Sequence, residues 1–286
     1  MPVLHSKSNR TLLILFGIAS FLLAASWDIV GQQKVKLDPE DVVAKHLKAL
    51  GTSESFAAAT ERRLEGKSNF RDIRNSMINV SGSAEMTSDT TNFGMFLVFS
   101  TNPTDFYRQD KIEYNGKKVS VPFASTTSRS PMGQFLYEFP EVIKSGLFGG
   151  TLNAEWAILD RKNKIKKLDF QGFEKVDGID LIVLRCTISG GTNLRIKLYF
   201  HPETYAHVQT IYAGEIQPPT TLSDEGRVSS IRHVFIEHFA GHTPISGLVI
   251  PITHRINYTF ESPLRNGQYE WTMNFSRFEF KKAPGA

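Results

Sequence analysis

Four histidines and one glutamate fall close together and are the best candidates for metal or acid–base chemistry. They are His233, Glu237, His238, His242 and His254. A metal site needs three or four ligands that converge on one point. On a regular strand His233 and His238, five residues apart, point to opposite faces, and His242 falls in the turn from Gly241 to Gly247. The spacing therefore argues against a metal site, and we expect these histidines on strand surfaces and in a turn.

The other candidate reactive groups give no stronger indication of catalysis. Cys186 is the one cysteine of the chain, and it lies in the apolar stretch 181–188, where a thiol lacks the positive surroundings that activate it. We expect it to be a buried small hydrophobe. Asp224 and Glu225 are adjacent in the polar stretch 217–230, where neighbouring carboxylates are poorly placed to act as acid and base.

The sequence also lacks the familiar catalytic motifs. There is no phosphate-binding loop, no dinucleotide-binding glycine motif, no serine-hydrolase elbow and no zinc-protease motif. We therefore expect no enzymatic activity, no catalytic residue, and no cofactor or metal.

The elements that must carry these residues are mostly strands. Apolar and polar residues alternate over the stretches 194–200, 248–260 and 269–275, which is the two-residue period of a strand with one dry face. Turn residues at 115–116, 190–191 and 202–204 separate strand-like stretches in the manner of hairpins. The pattern predicts about ten antiparallel strands, most of them joined to their sequence neighbours.

Helices are predicted in two places. Asp38 can cap a helix that begins at Pro39 and stops before Gly51, and Val42, Val43, Leu47 and Leu50 form its apolar face. A short second helix should follow at about Ser53 to Ala59. A third helical pattern runs from Gln134 to Lys144 and should be kinked or broken at Pro140. The fold class is thus α+β and mainly β, with helices available to cover one face of the sheet.

The N-terminus has the layout of a signal peptide. Lys7 and Arg10 precede an uncharged apolar run over residues 12–25, whose about 14 residues suit a signal better than the ~20 that cross a bilayer. Cleavage near Ala24 to Ser26, or just after Gly31, would leave residues 32–286 as a single domain. We expect export to the periplasm, the alternative being an uncleaved signal that anchors the chain in the inner membrane.

Charge and cysteine content narrow the possible partners and the source of stability. The net charge of +4 is small and dispersed, which argues against nucleic acid as a partner. A single cysteine excludes an intramolecular disulfide, so the hydrophobic core alone must stabilise the fold. We expect a monomer.

Phenylalanine is more frequent than a chain of this polarity needs, with 21 in 286 residues. The stretch 92–99 carries apolar residues on both alternations, so it should be covered on both faces. Either helices and ordinary core cover the two faces, or the sheet curves around a space that admits an apolar ligand.

Several motifs resemble one known family when taken in order. The stretches 180–188 and 198–205 resemble the paired strands and the LYF-x-PET turn of outer-membrane lipoprotein-sorting proteins, the LolA/LolB-like superfamily. The passage 235–256 is similar to that family's stretch around a Gly-Leu pair and a following proline. The opening, 41–50 followed by Arg63-Leu64-Glu65-Gly66, resembles its first helix and strand.

This resemblance implies a curved antiparallel half-barrel whose concave face is covered by helices and holds acyl chains or another hydrophobic ligand. The chain departs from the well-characterised carriers in the insertion at 217–230 and the helix at 134–144, which leaves the cargo open. The superfamily also includes envelope-stress sensors. On this basis, the expected cavity lining comprises Phe96, Val98, Leu198, Phe200, Ile250, Ile252, Trp271, Met273 and Phe275.

Two functions follow as hypotheses. The first is a periplasmic carrier that holds a lipid or an acylated lipoprotein without any chemical step. The second is a structural, interaction or stress-sensor module of the envelope, with a solid core and a protein partner. An apolar void at the concave face would favour the first hypothesis, and solid packing would favour the second.

Overall fold

Antiparallel strands make up most of the chain, as the alternating pattern predicts. The computed structural model describes residues 36–75, 78–101, 107–124, 128–216, 230–263 and 265–282. Their strands are β1 Glu61–Asp72, β2 Asn79–Ser88, β3 Asn92–Val98, β4 Gln109–Asn115, β5 Val119–Ser120, β6 Ile165–Val176, β7 Ile179–Ile188, β8 Arg195–Phe200, β9 His207–Ile216, β10 Ile231–Ala240, β11 Thr243–Ile245, β12 Leu248–Ile250, β13 Thr253–Glu261 and β14 Asn266–Lys281. The predicted signal peptide and the loop with Asp224 and Glu225 lie outside the described residues.

Twelve of these strands form one sheet that does not close into a barrel. Its order is β5-β4-β3-β2-β1-β14-β13-β10-β9-β8-β7-β6, and β11 and β12 pair separately. The chain thus builds two meanders, β1 to β5 and β6 to β14, joined where β1 pairs with β14. The half-barrel class is confirmed, with twelve strands rather than about ten because short segments such as β5 also pair.

The β1–β14 seam depends on a glycine. The register shifts between Glu65 and Gly66, and a Cβ atom at Gly66 would lie 2.0 Å from the carbonyl oxygen of Asn274. A side chain at this bulge would collide with the neighbouring backbone, so glycine is required for the two meanders to join.

The helices are α1 Pro39–Leu50, α2 Ser53–Ala58, α3 Pro131–Glu138, α4 Glu141–Lys144 and α5 Arg161–Lys164. As predicted, the Asp38 carboxylate caps α1 by accepting from the N–H of Glu40 at 3.0 Å. The predicted helix at 134–144 begins earlier, at Pro131, and breaks at Phe139 and Pro140 into α3 and α4. Within the described residues, no helix has the length and apolar content needed to span a bilayer.

One segment of the chain covers the concave face of the sheet. This covering segment, residues 131–159, connects the two meanders and contains α3, α4 and a 3₁₀ turn at Gly150–Leu152. Its fully buried side chains include Met132, Phe135, Leu136, Val142, Leu147, Phe148, Leu152 and Trp156. They pack in one cluster with buried residues of the strands and α1. Leu37–Ala286 is accordingly one compact unit.

Candidate functional site

The middle of the concave face is occupied by the chain's own side chains. The rings of Phe135 and Phe235 stack at 4.4 Å between centroids, and Phe148 meets Phe93 edge-on at 5.6 Å. Trp156 lies edge-on against the ring of His46 at 5.0 Å. Aromatic packing of this kind between the covering segment and the sheet leaves a solid core where the sequence predicted a cavity.

Six of the nine predicted lining residues belong to this solid core. They are Leu198, Phe200, Ile250, Trp271, Met273 and Phe275. Strand β12 ends at Ile250, and Ile252 is half-buried in the bend that follows Pro251. The indole N–H of Trp271 donates to the hydroxyl of Tyr107 at 2.7 Å. The six core residues pack against other side chains of the chain.

The predicted phase of β3 is wrong. Phe93, Met95 and Leu97 are buried, whereas Phe96 is 38% exposed and Val98 is half-buried. Successive side chains of a strand point to opposite faces, so Phe96 and Val98 lie on the face away from the core. Apolar residues on both alternations of this strand made its phase ambiguous in the sequence.

An open apolar groove of about 960 Å³ lies beside the solid core, between the α1–α2 hairpin and the end of the covering segment. We call it the α1–α2 groove. Its apolar lining consists of Leu47, Phe56, Ala57, Ala59, Ala154 and Leu159, and its polar rim includes Lys48, Thr52, Ser53, Glu54 and Thr60. Sites for small molecules are mostly apolar and occupy roughly 300–1,000 Å³, a range that includes this groove.

Helix α2 is short and covers little of the apolar surface beside it. Helix α2 has six residues and buries none of them. The Thr52 hydroxyl caps it by accepting from the N–H of Ser55 at 3.3 Å. After Phe56 the helix continues with Ala57 and Ala58, whose side chains are short, and Ala57 and Leu159 both line the groove. The hairpin therefore leaves apolar surface uncovered.

Arg62 also lines the groove, although only 3% of the residue is exposed. Its Nε donates to the carbonyl of Ala59 at 3.0 Å, and Nη1 donates to the carbonyls of Thr151 at 2.6 Å and Asn153 at 3.4 Å. Burial lowers its pKa to about 10, so it is positively charged at neutral pH. No carboxylate among the described residues forms an ion pair with it.

Glu237 is the centre of a buried polar network under the covering segment. Its carboxylate accepts from the N–H of Gly149, the hydroxyl of Tyr212 and Nε2 of His254, each at 2.8 Å. Glu237, His254 and Tyr212 are all fully buried. The network joins β9, β10 and β13 to the covering segment, and buried hydrogen bonds of this kind favour one arrangement of a core.

A second buried carboxylate holds the start of α3. Asp110 accepts hydrogen bonds from the Tyr107 hydroxyl and, at 2.5 Å, from the Ser130 hydroxyl, which in turn caps α3 by accepting from the N–H of Gly133. Burial raises the pKa of Asp110 to about 6, and the hydrogen bonds from Ser130 and Tyr107 oppose that rise in part.

The candidate histidines do not converge. His233 and His238 lie on opposite faces of β10, as predicted. His233 Nδ1 contacts the Tyr258 hydroxyl at 2.7 Å, and His242 Nε2 donates to the carbonyl of His207 at 3.1 Å. No three His, Cys, Asp or Glu side chains of the described residues are arranged to hold a metal ion. Cys186 is buried as predicted, and burial raises its pKa to about 12.

Two residues of these sites could have been recognised from the alternation of their strands, because each is a charged residue at a position predicted to be buried. Glu237 lies in phase with Phe235 and Phe239, so a charged residue falls in a buried aromatic row of β10. Arg62 lies in phase with Leu64 on β1. A charge at a core position requires buried partners or a ligand.

The fold is an unclosed antiparallel half-barrel with helices on its concave face. Comparison with solved structures returns several proteins of low sequence identity. One is a LolA superfamily protein, NE2245, from Nitrosomonas europaea, with 11% identity, a TM-score of 0.45 and coverage of 87% of this chain and 96% of that chain. Another is an outer membrane lipoprotein-sorting protein domain from Vibrio parahaemolyticus, with 10% identity, a TM-score of 0.42 and coverage of 85% and 92%. These two have the descriptions that the sequence motifs led us to expect.

A third similar structure is the MucA/MucB complex of Pseudomonas aeruginosa, at 8% identity and a TM-score of 0.22, covering 85% of this chain and 100% of that chain. No protein-family model and no curated protein matches this sequence.

Proposed function

We propose that this chain is an exported binding or carrier protein that holds the acyl chain of a lipid or lipidated protein in the α1–α2 groove, with no chemical step. The observation that carries the proposal is the open groove of about 960 Å³ with apolar walls beside the packed core cluster. Burying an acyl chain there gains ~0.8 kcal/mol per methylene, which provides affinity without specific polar contacts.

The proposal moves the site away from the residues first expected to line it. Leu198, Trp271 and Met273 are packed against other side chains, so a ligand among them would have to displace the covering segment. Entry into the α1–α2 groove requires no such rearrangement.

A matched pair of alanines on α2 provides the test. Ala57 lines the groove and is exposed, whereas the exposed neighbour Ala58 does not line it. In a titration with a fluorescent fatty acid, Ala57→Gln should weaken binding about tenfold. The glutamine side chain would occupy part of the groove, and the bound acyl chain would remove water from its amide group. Ala58→Gln should bind like the wild type. Equal affinities for both variants would place the ligand elsewhere.

The second candidate is a module that binds a protein partner of the envelope, and two observations favour it. The concave face is solid, and an exposed aromatic patch lies before and within α3. There the Arg129 guanidinium lies 3.7 Å from the ring centroid of Tyr137 and 5.0 Å from that of Phe123, and both rings are more than half exposed. Arginine and tyrosine are typical of binding hot spots. A wild-type protein that binds no amphiphile would make this the better function.

A further inference from the structure

We propose that Arg62 binds the anionic head group of the ligand, so that the α1–α2 groove selects single-chain amphiphiles with a carboxylate or phosphate. This inference rests on the proposed function, since it concerns the ligand of the same groove. The groove would then recognise both ends of such a molecule, the chain by its apolar walls and the head group by the guanidinium.

No carboxylate of the described residues neutralises the charge of Arg62, whose Cζ lies 5.8 Å from the ring centroid of Phe280. Its three acceptors, the carbonyls of Ala59, Thr151 and Asn153, carry only partial charges. Burying a cation without a counter-ion costs free energy of folding, and most buried cations in proteins are paired with a carboxylate. An anionic ligand supplies that counter-ion.

The guanidinium of Arg62 is held by hydrogen bonds from two of its three nitrogens. Three of its hydrogen bonds use Nε and Nη1 and fix the plane of the group, while Nη2 has no hydrogen-bond partner among the described residues. The residue lines the groove. A guanidinium held in place by its other nitrogens is preorganised to donate to a carboxylate or phosphate oxygen.

The charged side chains around the groove differ in burial. Besides Arg62, its lining contains two ionisable side chains, Lys48 and Glu54, and both are exposed at the rim. Exposed charges are screened by water and contribute little. Arg62 is therefore the one buried charge among the described residues of the lining, and it determines which head group the groove prefers.

A series of ligands with one chain and four head groups tests the inference on the wild-type protein. We expect dodecanoate and dodecyl phosphate to bind at least about tenfold more tightly than dodecanol, since a hydrogen bond to a charged group contributes that much. Dodecyltrimethylammonium should bind more weakly than dodecanol. The ratio between dodecanoate and dodecyl phosphate shows which anion is preferred.

Two variants assign the preference to the residue. Arg62→Gln should bind the anions no better than dodecanol, whereas Arg63→Gln, at the exposed neighbouring arginine that does not line the groove, should keep the wild-type preference. Equal binding of dodecanol and dodecanoate by the wild type would overturn the inference and leave the proposed function intact. If no ligand of the series binds in a manner sensitive to Ala57→Gln, both fail. Because the wild-type series decides by itself, the inference is testable even if Arg62→Gln does not fold.

Discussion

The Nη1 of Arg62 donates to the carbonyl oxygen of Thr151 at 2.6 Å. This bond joins β1 to the 3₁₀ turn of the covering segment, and the bond from Nε to Ala59 adds the end of α2. One side chain of β1 thus connects the end of α2 to the covering segment, and both contribute walls of the α1–α2 groove. These hydrogen bonds fix the position of Arg62 in the fold.

Met273→Arg should unfold the protein. Met273 is fully buried in the core cluster, and a guanidinium there would lack both water and a counter-ion, so we expect a loss of more than about 4 kcal/mol in the free energy of unfolding. Met273→Leu should cost less than about 1.5 kcal/mol. Urea denaturation measures both values. A folded Met273→Arg variant that merely loses ligand binding would show that the concave face has a cavity.

Glu237→Ala should destabilise the protein much more than Glu237→Gln. The alanine leaves Gly149, Tyr212 and His254 without their shared acceptor, which should cost about 3 kcal/mol or more. Glutamine retains one acceptor oxygen and offers an amide that the Tyr212 hydroxyl can accept from. Thermal and urea unfolding of the two variants test this. Equal losses of stability in the two variants would mean that the hydrogen bonds of Glu237 contribute nothing to stability beyond its charge.

Asp110 should make stability depend on pH. Burial raises its pKa from 3.8 to about 6, so its contribution to the free energy of unfolding is fully present below pH 3.8 and is lost as the pH rises through 6. The expected loss is on the order of 3 kcal/mol.

The buried histidines act in the opposite direction, since burial lowers the pKa of His46 and of His238 to about 4. The test of Asp110 is therefore the difference between wild type and Asp110→Asn in urea titrations from pH 4 to 7.5. The variant should lack the decrease in stability that Asp110 causes. Parallel curves would show that Asp110 has the same pKa in both states.

The apolar run at residues 12–25 predicts a cleaved signal peptide. After cell fractionation, N-terminal sequencing of the mature protein should give a start between Ser26 and Gln32. Full-length chain in the membrane fraction would identify the run as an anchor. Full-length chain in the cytosol would refute export.

Local features of the fold were predictable from sequence because their signals are local. Asp38 and Pro39 define the start of α1, and Pro140 breaks the helical segment after α3. The faces of His233 and His238 follow from the strand period alone. The phase of β3 was not predictable, since Phe96 and Met95 are both apolar and the partner strands decide which is buried.

The groove could not be predicted because tertiary packing creates it. Its walls come from α1, α2, β1 and the end of the covering segment, and the distance between Ala57 and Leu159 is not encoded in either local sequence. The alternation in the sequence predicted that Leu198 and Met273 are apolar residues of one strand face. It did not show that Phe135, Phe148 and Trp156 of the covering segment join them in one buried cluster.

Photochemical cross-linking with a diazirine-bearing fatty acid is the most direct test of the α1–α2 groove as an acyl-chain site. After illumination and proteolysis, mass spectrometry should locate the label in peptides that carry Leu47, Phe56 or Leu159, and Ala57→Gln should reduce it. Label confined to peptides with Leu198, Met273 or Phe275, or no label at all, would contradict the account.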